Sequence, residues 1–258
     1  MICMALLAHE NEQALRNQIR NIRKYNPQDV QIVFYNGGQD TNFGKKVCED
    51  ENVLYCPYSR PLKQRTSGRF FYDVMRFLED KKIAYEYLVY LEYDIMFVNG
   101  GFREYLLSKM EGYDCLVKIL RKEVDPKNAS WPPARDMWKD WERWKSIFES
   151  DAFYRTSSPM SVFRHGIIKK MLGGLNKKRL EHLFDTSNIP CLGEMLYITL
   201  AKKYGGKCKI YGDNTKRFLR FRPAITRKEI KEAKSRSDVM FVHPVKDAEV
   251  RDWIFNQP

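Results

Sequence analysis

Glu92 and Asp94 stand two residues apart directly behind an apolar run, residues 87–91. At the end of a strand, that spacing puts both carboxylates on one side of the chain and delivers them to one crevice. Hard divalent cations prefer such oxygen ligands and often bridge them to substrate phosphates. An exposed acidic turn would show the same two residues, so it is their position behind the run that favours a metal. A second group lies near the other end of the chain. The apolar segment 239–242 stops at His243, an imidazole able to ligate a metal such as manganese. Lys246 follows three residues later, a flexible cation able to neutralise a diphosphate. The plain alternative for these two is a satisfied histidine at a strand end and a surface lysine. The third candidate is Glu194, behind Gly193 and ahead of an apolar stretch. A carboxylate there suits a helix N-terminus; its chemical alternative is a general base that takes a proton from an attacking hydroxyl.

These side chains need elements to position them, and the first half of the chain supplies a clear rhythm. Residues 2–8 read as a short apolar strand. Residues 11–25 carry Ala14, Leu15, Ile19 and Ile22 at helical spacing, and Asn26-Pro27 stops them. Strands follow at 30–35 and 53–56 with a short helix at 43–49 between them. A helix over 67–80 puts Phe70, Phe71, Val74, Phe77 and Leu78 on one face, and the strand 87–91 runs into Glu92. Strand and helix alternating in this way predict an α/β domain with a largely parallel sheet. Ligands of such sheets bind beyond the carboxyl ends of the strands. That directs attention to His9-Glu10, Asn36-Gly37, Tyr58 to Arg60, and Glu92 to Asp94.

The second half is less regular. Strands are expected at 115–120, 207–211 and 239–242, and a helix at 189–204. Trp138, Trp141 and Trp144 recur every third residue with Phe148 one turn on, which predicts one helical face. Packing is the default role of such a face, and stacking on sugar rings is the alternative. Trp131-Pro132-Pro133 reads as a loop able to close over a ligand. The run 216–222 alternates basic and apolar residues and would show one cationic face as a strand.

A chain of 258 residues fits one large or two small domains. Its longest apolar runs fall far short of a bilayer span, which excludes a transmembrane protein. The first residues, Met1-Ile-Cys-Met, lack a basic region and open into strand-like sequence, so no cleaved signal peptide is expected. None of the six cysteines forms a C-x-x-C pair, so neither a zinc site nor a disulfide framework is expected, and a reducing compartment suits them. A net charge of +12 favours phosphate-bearing partners or an anionic membrane face, or it is simply a solvated basic surface. No helix-turn-helix, RNP or zinc-finger pattern accompanies it, so nucleic acid is not an expected partner.

In order along the chain, these pieces resemble the GT-A glycosyltransferases. The strand ending in Leu7-Ala8-His9-Glu10 looks like the first nucleotide-binding strand of that family, and Tyr35-Asn36-Gly37-Gly38 like the end of the second, which frames the base. Glu92-Tyr93-Asp94 is similar to the D-x-D motif, and residues 241–246 to the C-terminal histidine and lysine that contact metal and diphosphate. Gly193-Glu194 sits where inverting members carry their acidic base. The resemblance implies a single GT-A-like, Rossmann-like domain over 1–258, with a nucleotide-sugar-binding half at 1–112 and an acceptor-binding and catalytic half at 113–258. It implies a metal-dependent glycosyltransferase of glycan biosynthesis that uses Mn²⁺ or Mg²⁺, held by Asp94 and His243. Ala8, His9, Asn36, Gly37, Arg69, Glu92, Tyr93 and Lys246 would bind the nucleotide sugar, and Glu194 would act as the base. The acceptor would be a glycan or a lipid-linked sugar. The setting would be the cytoplasm, with peripheral contact at the inner membrane face as an option.

Two residues depart from the family pattern. The first carboxylate is Glu rather than Asp, and no acidic residue ends the second strand, which leaves UDP-, GDP- and dTDP-sugars open. The rival readings are a nucleotidyltransferase and a non-catalytic nucleic-acid- or carbohydrate-binding protein. The first would normally show a Gly-rich, basic loop after the opening strand, and Ala8-His9-Glu10-Asn11 is neither.

Overall fold

In the computed structural model, which describes residues 1–28, 30–63 and 68–257, the run Ile2–Ala8 forms β1 inside a seven-stranded sheet. Its side chains alternate: Ile2, Met4 and Leu6 enter one core, Cys3 and Ala5 the other. A strand covered on both faces reads as a continuous apolar run, which is why it stands out in the sequence. Helix α1 (Glu12–Tyr25) follows, capped by Asn11, whose side chain accepts from the Ala14 N–H at 3.0 Å. Leu15, Ile19 and Ile22 bury on α1. Next come β2 (Val30–Asn36), α2 (Lys45–Asp50) and β3 (Leu54–Tyr55), with β2 parallel to both β1 and β3.

Helix α3 (Arg69–Asp80) fills the core on the Cys3 and Ala5 side with Phe70, Phe71, Val74, Phe77 and Leu78. Each such side chain contributes roughly 1.5–3 kcal/mol when fully buried. Residue 67, the expected start of this helix, lies outside the described residues. Strand β4 (Tyr87–Glu92) pairs with β1 in parallel, Ile2 opposite Tyr87.

Beyond β4 the elements shorten. The two-residue β5 (Met96–Phe97) leads to α4 (Phe102–Met110), β6 (Cys115–Val117) and β7 (Arg121–Glu123). Helices α5 (Pro132–Lys139) and α6 (Trp141–Phe148) precede β8 (Phe153–Arg155) and β9 (Val162–Arg164). Then come α7 (His165–Gly174), α8 (Lys177–Thr186), α9 (Gly193–Lys203) and β10 (Cys208–Ile210). The chain closes with α10 (Asp213–Phe218), α11 (Arg227–Lys234), β11 (Phe241–Val242) and α12 (Ala248–Asn256).

Across the sheet the order is β10-β6-β9-β4-β1-β2-β3. Strand β9 runs antiparallel between β4 and β6; the other pairs are parallel. The sheet is therefore mostly parallel, as expected, but β9 is too short to show a period in sequence. Two small antiparallel pairs, β5 with β11 and β7 with β8, stand outside it.

Two expectations for the second half are corrected. The Trp segment is not one helix, because it breaks at Asp140. Trp144 is fully buried and Trp141 nearly so, and both pack against Phe148. The basic run 216–222 is not a strand: it finishes α10, and its charges are largely spent internally. Arg217 makes two hydrogen bonds to Glu232, at 2.6 and 2.8 Å, and Arg220 makes two to Glu229, at 2.6 and 2.9 Å. Four cysteines, Cys3, Cys48, Cys56 and Cys115, are buried, and all six are free thiols. Among the described residues no helix is long and apolar enough to cross a membrane.

Candidate active site

Strand β4 ends on Glu92, and a tight turn carries the chain through Tyr93 and Asp94 into β5, with the Ile95 N–H donating to the Glu92 carbonyl at 3.2 Å. The turn is clamped from behind by α1. Gln18, buried on that helix, donates through Nε2 to the Glu92 carbonyl at 2.9 Å and to the Ile95 carbonyl at 3.0 Å. One turn along, Asn21 exchanges two hydrogen bonds with the Phe97 backbone, at 2.9 and 2.8 Å. Two buried amides thus fix both ends of the acidic segment to the helix beneath it.

The histidine arrives by pairing. Strand β11 lies antiparallel to β5, with Phe241 opposite Phe97 and Val242 opposite Met96, so the next residue, His243, is delivered beside Asp94. The Val245 N–H then donates to the Asp94 carbonyl at 2.8 Å, and the His243 N–H to the Phe218 carbonyl at 2.8 Å. An apolar cluster including Met96, Phe218, Ile230, Val242 and Ile254 holds β5, β11 and the last helices together.

Glu92, Asp94 and His243 therefore meet, each offering one ligand atom within 4.8 Å of the others. His243 Nε2 lies 3.2 Å from Asp94 Oδ1 and 3.9 Å from Glu92 Oε2. Asp94 is only 4% exposed and His243 5%, whereas the recessed Glu92 side chain keeps 31% of its surface open. The contact between His243 and Asp94 is an ion-pair distance without hydrogen-bond alignment, and Asp94 Oδ1 is buried with no hydrogen-bond donor. Buried carboxylate oxygens rarely go unpaired. Two carboxylates, one imidazole and an orphaned buried oxygen fit a divalent cation of the Mn²⁺ or Mg²⁺ kind. The Glu92 carboxyl is pushed up to about 7 by burial, with His243 and Lys246 pulling it down and Asp94 pushing it further up.

Glu194 enters from a different element. It occupies the first turn of α9, whose start lies backbone against backbone on the start of α3. A Cβ on Gly68 would come within 2.6 Å of the Gly193 nitrogen, so this approach requires glycine. The Thr156 N–H fixes the Glu194 carbonyl at 2.8 Å. Burial first, and then the charge of Glu92, push the Glu194 carboxyl up to about 8; the Ser158 N–H, Arg155 and Lys118 act against them. The charge of one member of the triad, Glu92, thus reaches Glu194. Burial lowers the pKa of Lys118, and Glu194 opposes the shift. Arg155 is anchored by Glu123 at 2.6 Å and lies 5.2 Å from the centre of the Trp131 ring.

The other expected residues divide. Ala8 ends β1, where its carbonyl accepts from the Gly37 N–H at 2.9 Å. His9 packs edge-on to Tyr93 at 5.5 Å between ring centres, beside the triad. Lys246 is exposed, and its charge reaches Glu92. Asn36 is occupied by its own loop, its Oδ1 accepting from the Gly38 N–H at 2.8 Å and its Nδ2 donating to the Asp40 carbonyl at 2.7 Å. Arg69 is buried between carboxylates, 3.4 Å from Asp73 and 2.5 Å from Asp185. Among the described residues, no hydrogen bond or ion pair links Asn36, Gly37 or Arg69 to the triad.

Gln18 is legible in the sequence as a polar residue on an apolar helix face, between Leu15 and Ile22. Lys118 and Arg155 carry no such signal.

No protein-family model matches the sequence, and no curated protein is significantly similar to it. Solved structures do match. The galactosyltransferase LgtC, solved with donor and acceptor sugar analogues, aligns over 98% of this chain and 95% of its own at a TM-score of 0.51 and 12% identity. A separately solved active-site mutant of LgtC aligns over 98% and 94% at 0.52 and 11%. The chain has the GT-A fold. Bifunctional IspDF from Campylobacter jejuni also aligns, over 83% of this chain and 50% of its own, but at a TM-score of 0.42 and 10% identity it bears no argument. Within the GT-A fold, the Glu92–Asp94–His243 triad lies at the carboxyl end of β4, the central strand of the seven, where open α/β sheets bind their ligands.

Proposed function

We propose that the chain is a metal-dependent glycosyltransferase, moving a sugar from a nucleoside-diphosphate sugar to a hydroxyl of a glycan or lipid-linked acceptor. The observation that carries this reading is the convergence of Glu92, Asp94 and His243 at the end of a central strand in a GT-A fold, with Glu194 within reach of the Glu92 charge. LgtC was solved with donor and acceptor sugar analogues, which supports a nucleotide-sugar donor and a sugar acceptor here too.

Asp94 and His243 would hold Mn²⁺ or Mg²⁺, with Glu92 beside them. The bound cation would supply Lewis acidity and offset charge that develops on the leaving diphosphate. Lys246 adds a mobile positive charge on the same side. Ala8, His9 and Tyr93 border the donor, with residues 1–112 forming its half of the domain and residues 113–258 the acceptor's. Glu194 takes the proton from the acceptor hydroxyl as that oxygen attacks the anomeric carbon, so configuration inverts. A second role for Glu194 is favoured by its raised pKa. Protonated near neutral pH, it would donate a hydrogen bond and position a sugar hydroxyl, and the reaction could then retain configuration.

Binding is testable by thermal shift with UDP, GDP and dTDP, with and without Mn²⁺. A ligand at a hundred times its Kd stabilises the folded state by about 2.7 kcal/mol, roughly 5–10 °C in Tm for a chain of this size. One nucleotide is expected to give that shift, and only with the metal present. Equal shifts in EDTA would remove the metal from the reading.

A further inference from the structure

Two thiols that the proposed activity does not use stand side by side at the edge of the large sheet. Strand β10, the edge strand, lies parallel to β6 with Cys208 directly opposite Cys115. Side chains at paired positions of neighbouring strands leave the same face of a sheet, and Cys208 packs against the apolar cluster that buries Cys115. Neighbouring strands lie about 4.7–4.9 Å apart, inside the Cα separation of roughly 4.4–6.8 Å that a disulfide spans. The two thiols are hydrogen-bonded to each other. Backbone bonds hold the register on both sides of them. The Asp114 and Cys115 N–H groups donate to the Lys207 carbonyl at 2.8 and 3.0 Å, and the Tyr211 N–H to the Val117 carbonyl at 2.9 Å.

The members of the pair differ in reach. Cys115 is fully buried, whereas Cys208 is half-buried. Cys208 Sγ lies 3.8 Å from the Gly206 carbonyl, which also accepts from Lys202 Nζ at 3.2 Å, so thiol and ammonium converge on one oxygen. The hydrogen bond from Cys115 and the Lys202 charge lower the Cys208 pKa, against burial and Asp114; the same hydrogen bond and burial push Cys115 up. Burial raises the pKa of Cys3, Cys48, Cys56 and Cys191, which sets Cys208 apart from them. A partly open thiol beside a cation is the kind that attacks a disulfide, and a buried neighbour in contact with it is placed to resolve the product.

We infer that Cys208 and Cys115 form a reversible dithiol–disulfide couple that reacts with small-molecule disulfides such as oxidised glutathione. The Cys208 thiolate attacks one sulfur of the reagent and expels the other half as a thiolate, which takes up the proton Cys208 gave to solvent. Cys115 then attacks Cys208 Sγ, and the second half leaves as a thiolate that takes up the Cys115 proton. Two protein thiols lose two electrons, and the small disulfide gains them and becomes two thiols. The new bond closes a loop of roughly 90 residues and ties β10, and through it the end of α9, to β6. The couple is independent of sugar transfer, and its presence or absence leaves that reading untouched.

The test treats the full folded chain with millimolar oxidised glutathione, blocks open thiols with iodoacetamide under native conditions, and maps the peptides by mass spectrometry without reduction. Wild type is expected to give one linkage, Cys115 to Cys208, with the fully buried Cys3 unmodified as the mark of an intact fold. The linked form should melt roughly 5–15 °C higher, as expected for a long closed loop in a chain of this size, and dithiothreitol should return the original Tm. The C115A variant should stop at a single glutathione on Cys208, because nothing is left to resolve it. The C208S variant should form no linkage and take up no glutathione at Cys115. Should C115A fail to fold, C208S carries the test, since its substitution lies at the half-buried position. Both thiols left free in wild type would overturn the couple. So would glutathione retained on Cys208 with Cys115 reduced, or a linkage of Cys208 to any other cysteine.

Discussion

Replacing Asp94 with alanine is expected to remove metal-dependent donor binding and to lower turnover by about a thousandfold or more. Asp94 is the most deeply placed carboxylate of the triad, and its Oδ1 has no hydrogen-bond donor of its own. Loss of a metal-held oxygen forfeits several kcal/mol of transition-state stabilisation, and about 4 kcal/mol corresponds to three decades in rate. The fold should survive, because the Asp94 backbone is held independently by Val245 and the turn by Gln18. The substitution also lifts a like charge from Glu92, whose carboxyl Asp94 pushes up. In EDTA the variant should still melt cooperatively, with this relief set against the lost attraction between Asp94 and Arg251, which is buried on α12. Calorimetry with Mn²⁺ checks the first part, and a thermal melt in EDTA the second. Wild-type Mn²⁺ affinity in the variant would take Asp94 out of the site.

The second large effect belongs to Glu194. Glu194→Gln keeps the shape and removes the ionisable group, so turnover should drop by roughly a hundredfold or more while donor KM stays near wild type. The pH dependence gives the sharper signature. With its carboxyl pushed up to about 8, Glu194 is mostly protonated at neutral pH, and a base must lose that proton to act. Wild-type kcat should rise with pH toward 8, and the glutamine variant should lack that limb. Stability runs the opposite way. The folded pKa exceeds the ordinary carboxylate value, so the folded state binds more protons between pH 4.5 and 8 and loses stability as pH rises through that window. Glu194→Gln should therefore match wild type below pH 4.5 and melt higher than it above pH 8. A variant that turns over normally would return Glu194 to a helix-terminal role. A product of retained configuration would favour its positioning role instead.

What is legible in the sequence follows from the physics of each signal. Strands β1, β2 and β4 are buried on both faces and stand out as unbroken apolar runs. Helices α1 and α3 show their buried faces at helical spacing. The triad is visible because its members sit immediately after apolar segments, and only the pairing of β11 with β5 is needed to bring Asp94 and His243 together. Strand β9 escapes a sequence reading because three residues carry no period, and the run 216–222 misleads because alternating charge fits a helix end as well as a strand.

The partners of site residues are the least legible. Asn36 ends its strand as expected, yet its amide is occupied by its own loop. Arg69 sits at the start of α3, held between Asp73 and Asp185, and Asp185 is distant in the chain. Such properties arise from tertiary packing and have no counterpart in residue spacing.

The most direct test of the central claim is turnover. The protein is incubated with UDP-, GDP- and dTDP-sugars in Mn²⁺, and nucleoside diphosphate release is followed together with the anomeric proton of the product by NMR. The account predicts that one nucleoside diphosphate accumulates, that EDTA stops it, and that the released or transferred sugar has inverted configuration. Nucleotide sugars left intact in Mn²⁺, with pyrophosphate released instead from nucleoside triphosphates, would contradict it and make nucleotidyl transfer the activity of this fold.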